Sequence, residues 1–206
     1  MTPRSDPLIQ QGSVLYINLD SRTDRRREVE KELQDVGWPI ERLSATEPDP
    51  RNDTHATRAA ACTASHLRAL KILYERGVPF CTVIEDDAMF EKGSIVCDLE
   101  RRLSSVPFDM FLLGVNVPKY TAHRVRDLVK VKSSFTTTGY IIKREAVPDL
   151  VAVWENTNKP ADVAWSEVMS KREVIAPRTP IVYQRPSFSD IEGHHTNHRS
   201  ARKKLR

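Results

Sequence analysis

Phe80-Cys81-Thr82-Val83-Ile84-Glu85-Asp86-Asp87 is the stretch on which the fold of this chain turns. A short apolar run rich in strand formers, preceded by the stop signal Gly77-Val78-Pro79, reads as a buried central β-strand. It ends abruptly in three consecutive carboxylates, Glu85, Asp86 and Asp87. At a strand tip these repel one another unless a cation or hydrogen-bond donors compensate them. Hard oxygen ligands suit Mg²⁺ or Mn²⁺, which in turn neutralise a nucleotide diphosphate and assist its departure. An acidic triplet by itself is equally consistent with a solvated loop, so the surrounding pattern has to decide.

Working outward, Val14 to Leu19 is a second apolar run and reads as the first strand, with Asp20 at its carboxyl end. Ser21 and Asp24 make a capping-box-like start, Val29, Leu33 and Val36 follow at helical spacing, and Gly37 is placed to end the helix. A short strand is expected over 40–45 and a loop over 46–57. A helix over 58–76 follows, with Ala61, Ala64, Leu67, Leu70 and Leu73 or Tyr74 on one face. Beyond the acidic triplet the pattern predicts a helix over 94–106, strands over 108–115, 128–132 and 135–143, and helices over 144–154 and 162–171. Alternation of strands and helices in the first half argues for a three-layer α/β domain around a mostly parallel sheet. Ligands in such sheets bind at the carboxyl ends of the strands.

The 206 residues suit one domain, read as 13–192 between a leader (1–12) and a basic tail (193–206) rich in His, Arg and Lys. With 39% hydrophobic and 29% charged residues the composition is that of a soluble globular protein, not a disordered one. No stretch reaches the length of a membrane span, and the leader lacks the apolar centre of a signal peptide. Cys62, Cys81 and Cys97 lack CxxC spacing and read as free thiols of a reducing compartment, so a cytoplasmic location is expected. Arg199, Arg202, Lys203, Lys204 and Arg206 lie in the last eight residues, and removing those five charges from the net +4 leaves −1. A near-neutral body with a basic end lacks the broad positive face of a nucleic-acid binder. The tail is a solvated end or a weak contact to anionic membrane.

Asn18, Asp20, Arg22 and Arg25 lie where the first strand meets its helix, a place that receives nucleotides. The arginine forks suit a diphosphate, with capping and surface ion pairs as the competing role.

Five stretches together resemble glycosyltransferase family 25, which includes lipooligosaccharide galactosyltransferases and collagen β-galactosyltransferases. They are 17–25 (INLDSRTDR), 61–66 (ACTASH), 83–88 (VIEDDA), 138–146 (TGYIIKREA) and 160–162 (PAD), in the family's order. The segment 187–191 (SFSDI) loosely resembles its serine-rich closing segment. The resemblance implies a GT-A type nucleotide-diphospho-sugar transferase fold and a UDP-sugar donor. It also implies a divalent cation held by Asp87 with Asp86 or Glu85, and transfer of galactose or glucose with inversion at the anomeric carbon. The acceptor is then a glycan, a glycolipid or other lipid-linked glycan, or a protein. The resemblance gives Ser65 and His66 either donor contact or packing support.

Inversion needs a general base, for which Asp162 is the first candidate against a helix-capping role and Glu167 the second. By analogy with GT-A enzymes, His194 or His195 completes the metal shell, unless both belong to a solvated tail. Two rivals stand beside this reading. A sugar-phosphate nucleotidyltransferase also needs acidic metal ligands, but residues 18–25 carry no glycine for a phosphate loop. The other is a degenerate GT-A module that binds glycan or protein without catalysis.

Overall fold

The computed structural model describes residues 13–39, 41–91, 99, 103, 106–114, 116–197 and 205. The leader 1–12, most of the helix expected over 94–106, Cys97, His198 and the five basic residues of the tail lie outside the described residues.

The chain opens with β1 (Val14–Asn18), α1 (Thr23–Asp35), β2 (Arg42–Ser44), α2 (His55–Glu75) and β3 (Phe80–Glu85). After β4 (Ala88–Phe90) come β5 (Met110–Leu112), β6 (Asn116–Ala122), β7 (Leu128–Phe135) and β8 (Gly139–Lys143). The helices α3 (Val147–Glu155), α4 (Ala161–Ala164) and α5 (Ser166–Met169) precede β9 (Val174–Pro177), β10 (Val182–Gln184), β11 (Ser187–Ser189) and β12 (His194–Thr196).

Among the described residues, eight strands form one sheet in the order β2-β1-β3-β8-β5-β9-β7-β6. β1 pairs parallel with β2 and β3, whereas β8 runs antiparallel between β3 and β5. With β7 also reversed, six strands share one direction and two oppose it. The pleat sends alternate residues of β1 to opposite faces. Leu15 and Ile17 join Leu70 and Leu73 of α2 and Trp154 of α3 on one side. Val14 and Tyr16 join Val29 and Leu33 of α1 on the other. The result is helix, sheet, helix, and each fully buried aliphatic side chain in it contributes about 1.5–3 kcal/mol.

Several boundaries differ from the expected ones for local reasons. α2 begins at His55 because Thr54 and Thr57 cap each other reciprocally. α1 has Arg22 at its N-cap with no side-chain cap, because a guanidinium has no acceptor to offer the first-turn amides; it holds Asp24 at 2.9 Å instead. Gly37 and Gly77 end α1 and α2 with φ of 73° and 70°, as a left-handed cap requires. The strand expected over 135–143 is broken: Phe135 ends β7, Thr136 turns with φ 85°, and β8 starts at Gly139. The helix expected over 162–171 is two short helices, α4 and α5. β6 escapes the periodicity because it is an irregular edge strand, with register shifts between Asn116 and Tyr120. β11 and β12 pair as a hairpin through Thr196, so residues 194–196 of the expected tail form a strand.

Candidate active site

A cleft of about 450 Å³ opens at the carboxyl ends of β1 and β3. Asn18 ends β1, Glu85 ends β3, and Asp86 and Asp87 form the turn into β4. Arg25 enters from α1, Cys62, Ser65 and His66 from α2, Asp162 from α4, and Asp190 from the β11–β12 connection.

The three carboxylates have three different environments. Glu85 Oε1 accepts from Thr137 Oγ1 at 2.6 Å and lies 3.2 Å from His66 Nε2. Burial opposes its ionisation, but His66, Thr137 and the charge of Arg25 outweigh burial and hold it below the usual glutamate range. Asp86 accepts from Asn18 Nδ2 at 2.7 Å and from Arg25 Nη1 at 2.8 Å. Burial nonetheless leaves its carboxyl above the ordinary aspartate value. Asp87 Oδ1 is buried without a hydrogen-bond partner. Burial, then the neighbouring charge of Glu85, pushes Asp87 up to about 8.

A buried carboxylate oxygen with no donor is the feature a hard cation relieves. Mg²⁺ and Mn²⁺ sites of this kind use one or two carboxylates and fill the remaining positions with substrate phosphates and water, so Asp87 fits the group. Gln184 Oε1, also buried and unpartnered, lines the same cleft and offers a second hard oxygen.

Arg25 is a hub. Its Nη2 donates to Ser187 Oγ at 3.0 Å and to the Phe188 carbonyl at 2.7 Å, and its Nη1 lies 3.8 Å from Asp190 Oδ2. Burial works against its charge, and Asp86 and Asp87 outweigh that. Arg22 is bound to Asp24 and Asp190 at the rim. Asp20 is exposed, paired with Arg42 and Ser44, and does not line the cleft. Ser65 Oγ accepts from the Thr46 amide at 2.8 Å and so fixes a wall loop. His66 is fully buried, with Nδ1 3.2 Å from Tyr140 Oη.

Asp162 faces the cleft from the first turn of α4, where its carboxylate also meets the Asp162 and Val163 amides. Pro160 occupies the N-cap of α4, and Asp162 Oδ2 accepts from the Thr136 amide at 3.0 Å. That bond supports a residue at positive φ, a conformation that costs about 1–3 kcal/mol. Burial raises the Asp162 carboxyl above its ordinary value, ahead of the opposing Thr136 bond. Glu167 is a correction: it is exposed on α5, 3.4 Å from Lys159 Nζ, and away from the cleft. His194 and His195 are a second correction, because they belong to β12 rather than to a tail. His195 packs edge-on against Phe188 and His194 lies beside the Glu192 carbonyl. Among the described residues, the one set of three metal-ligating side chains within 4.8 Å of one another is Cys62, His66 and Glu85. Sequence reasoning missed Thr136, Thr137 and Gln184, and gave Asp190 no role beyond its place in the 187–191 segment; these are ordinary polar residues until the fold brings them to one cleft.

A sequence profile of glycosyltransferase family 25 (LPS biosynthesis protein) matches residues 12–165. A solved structure of a glycosyltransferase involved in the glycosylation of the major capsid of PBCV-1 superposes with a TM-score of 0.52 at 10% identity. The match covers 87% of this chain and 94% of that one, a likeness in fold alone. The crystal structure of A197 from STIV gives a TM-score of 0.47 at 13% identity over 82% of this chain and 81% of that one. The GT-A-like α/β fold, and a profile match spanning both strand tips that build the cleft, identify the chain as a member of glycosyltransferase family 25.

Proposed function

We propose that this glycosyltransferase moves a hexose, galactose or glucose, from a UDP-sugar to a hydroxyl of a glycan, lipid-linked or protein acceptor, with inversion and with a divalent cation. The observation that carries the reading is Asp87 Oδ1, buried at the tip of the central strand with no partner inside the protein.

Asp87, aided by Gln184 Oε1, would hold Mg²⁺ or Mn²⁺ in the cleft. When bound, the cation supplies charge neutralisation for the diphosphate and so favours its departure. Asn18 and Arg25 keep Asp86 in place and thereby fix the turn that carries Asp87. Asp162 accepts the proton of the acceptor hydroxyl as that oxygen bonds to the anomeric carbon and the bond to UDP breaks. Burial holds its carboxyl above the ordinary aspartate value, which makes it a stronger base than a solvated aspartate. The free thiols of Cys62 and Cys81 suit a reducing compartment, so the proposal extends to work in the cytoplasm. Among the described residues, no helix is long and apolar enough to cross a membrane.

Calorimetric titration of a UDP-sugar panel with and without Mn²⁺, on wild type and Asp87→Asn, tests this. Metal-dependent binding of one donor that the variant loses is the expected result. Folded protein that binds no UDP-sugar under either condition would sink the reading.

A further inference from the structure

We infer that Cys62, His66 and Glu85 form a second metal site, of zinc type, in the wall of the cleft and separate from the cation site at Asp87. Their ligating atoms all lie within 4.8 Å of one another. Cys62 and His66 are four residues apart on α2 and share a face, while Glu85 arrives from the end of β3. The trio therefore joins two elements packed on the central sheet, a rigid frame rather than a loop.

The surroundings are those of metal ligands held in orientation. His66 is fully buried, and its Nδ1 meets Tyr140 Oη at 3.2 Å, which turns Nε2 toward Glu85 Oε1, also 3.2 Å away. Thr137 Oγ1 holds the same carboxylate oxygen from outside at 2.6 Å. Partners of this kind, one step behind the ligands, fix ring tautomer and carboxylate direction in zinc sites. Zinc bonds of about 2.0–2.3 Å at tetrahedral angles separate ligand atoms by about 3.3–3.8 Å, so the trio closes on an ion with a shift of about 1 Å.

The ligand chemistry separates the two sites. Thiolate, imidazole and carboxylate together select Zn²⁺ over Mg²⁺ or Mn²⁺, whereas Asp87 and Gln184 offer only hard oxygen. Cys62 is a free thiol whose ionisation burial and the charges of Glu85, Asp162 and Asp87 oppose, so in the apo protein it keeps its proton. Metal binding replaces that proton with a sulfur–metal bond and releases it to solvent. All three ligands line the cleft, which leaves a fourth position open toward its interior. Three protein ligands and an open position are the pattern of a site that takes an exchangeable oxygen, from water or a substrate hydroxyl.

The test uses the full chain, stripped with chelator and titrated with Co²⁺ as a spectroscopic substitute for Zn²⁺. Wild type is expected to show a near-ultraviolet thiolate-to-cobalt band with the strong visible bands of tetrahedral coordination, both erased by equimolar Zn²⁺. Cys62→Ser and Cys62→Ala remove the thiolate band, while Cys81→Ala, Cys97→Ser and Asp87→Asn keep it. Tyr140→Phe weakens cobalt affinity by roughly 10–100-fold with the band shape retained. The inference is overturned if folded wild type gives no thiolate band, if the band survives in either Cys62 variant, or if Asp87→Asn abolishes it. Making both Cys62 variants leaves one to decide should the other fail to fold. Donor binding is not read in this experiment, so its outcome stands apart from the UDP-sugar titration.

Discussion

Arg25 Nη1 stands 2.8 Å from Asp86 Oδ1, with both side chains about 10% exposed, and this pair fastens α1 to the tip of β3. Arg25→Met leaves Asp86 buried without its counter-charge, so we expect a loss of about 3–5 kcal/mol in urea unfolding. Adding Asp86→Asn to Arg25→Met recovers part of that loss, because the uncompensated charge is gone. Strictly additive effects in this double-mutant cycle would contradict the coupling.

Asp87 sets a pH dependence. Its folded pKa of about 8 lies above the ordinary aspartate value of 3.8, so between these limits the folded state holds the extra proton. Stability from this group is therefore full below about pH 4 and falls as the pH rises toward 8. In chelator, Asp87→Asn should gain about 3–4 kcal/mol on wild type between pH 5 and pH 8, measured by urea unfolding at both. Wild type and variant with the same pH slope would show that Asp87 is not the titrating group.

Asp162 has two separable duties. Asp162→Asn keeps an oxygen for the Thr136 amide but cannot take a proton. We expect stability within about 0.5 kcal/mol of wild type and kcat lower by about 10²–10⁴-fold. Asp162→Ala loses both the base and the bond that supports Thr136 at φ 85°. Glu167→Ala, outside the cleft, should leave turnover and stability unchanged within measurement error. Turnover of Asp162→Asn within threefold of wild type would remove Asp162 from the chemistry.

Gly114 lies against the strand that carries Gln184. A Cβ there would sit 2.0 Å from the Val182 carbonyl oxygen, and backbone cannot step aside as a flexible side chain can. The Leu113 carbonyl binds the Ile181 and Val182 amides at 2.8 and 3.1 Å, so the approach is locked on both sides. Gly114→Ala is expected to destabilise by about 3 kcal/mol or more and to lower the melting temperature accordingly. A melting temperature within a degree of wild type would be incompatible with this packing.

Local sequence specifies the strands β1 and β3, the helices α1 and α2, and the acidic tip, because each depends only on neighbouring residues. A short apolar run needs only its own pattern to read as a buried strand, and Gly37 and Gly77 mark the helix ends through left-handed backbone. It also brought out Asn18, Arg25, His66, Asp86, Asp87 and Asp162, all of which reach the cleft. Tertiary structure alone decided how the three carboxylates differ. Adjacent in sequence, they point to different neighbours: Glu85 to α2, Asp86 to α1, and Asp87 to a place where its Oδ1 has no donor and its Oδ2 stands 4.0 Å from Arg25 Nη1. It also removed Glu167 and Asp20 from the cleft, folded His194 and His195 into a hairpin, and set Cys62 beside His66 and Glu85. Such outcomes depend on which residues the fold brings together across 19 to 168 positions of chain, and no local propensity encodes that.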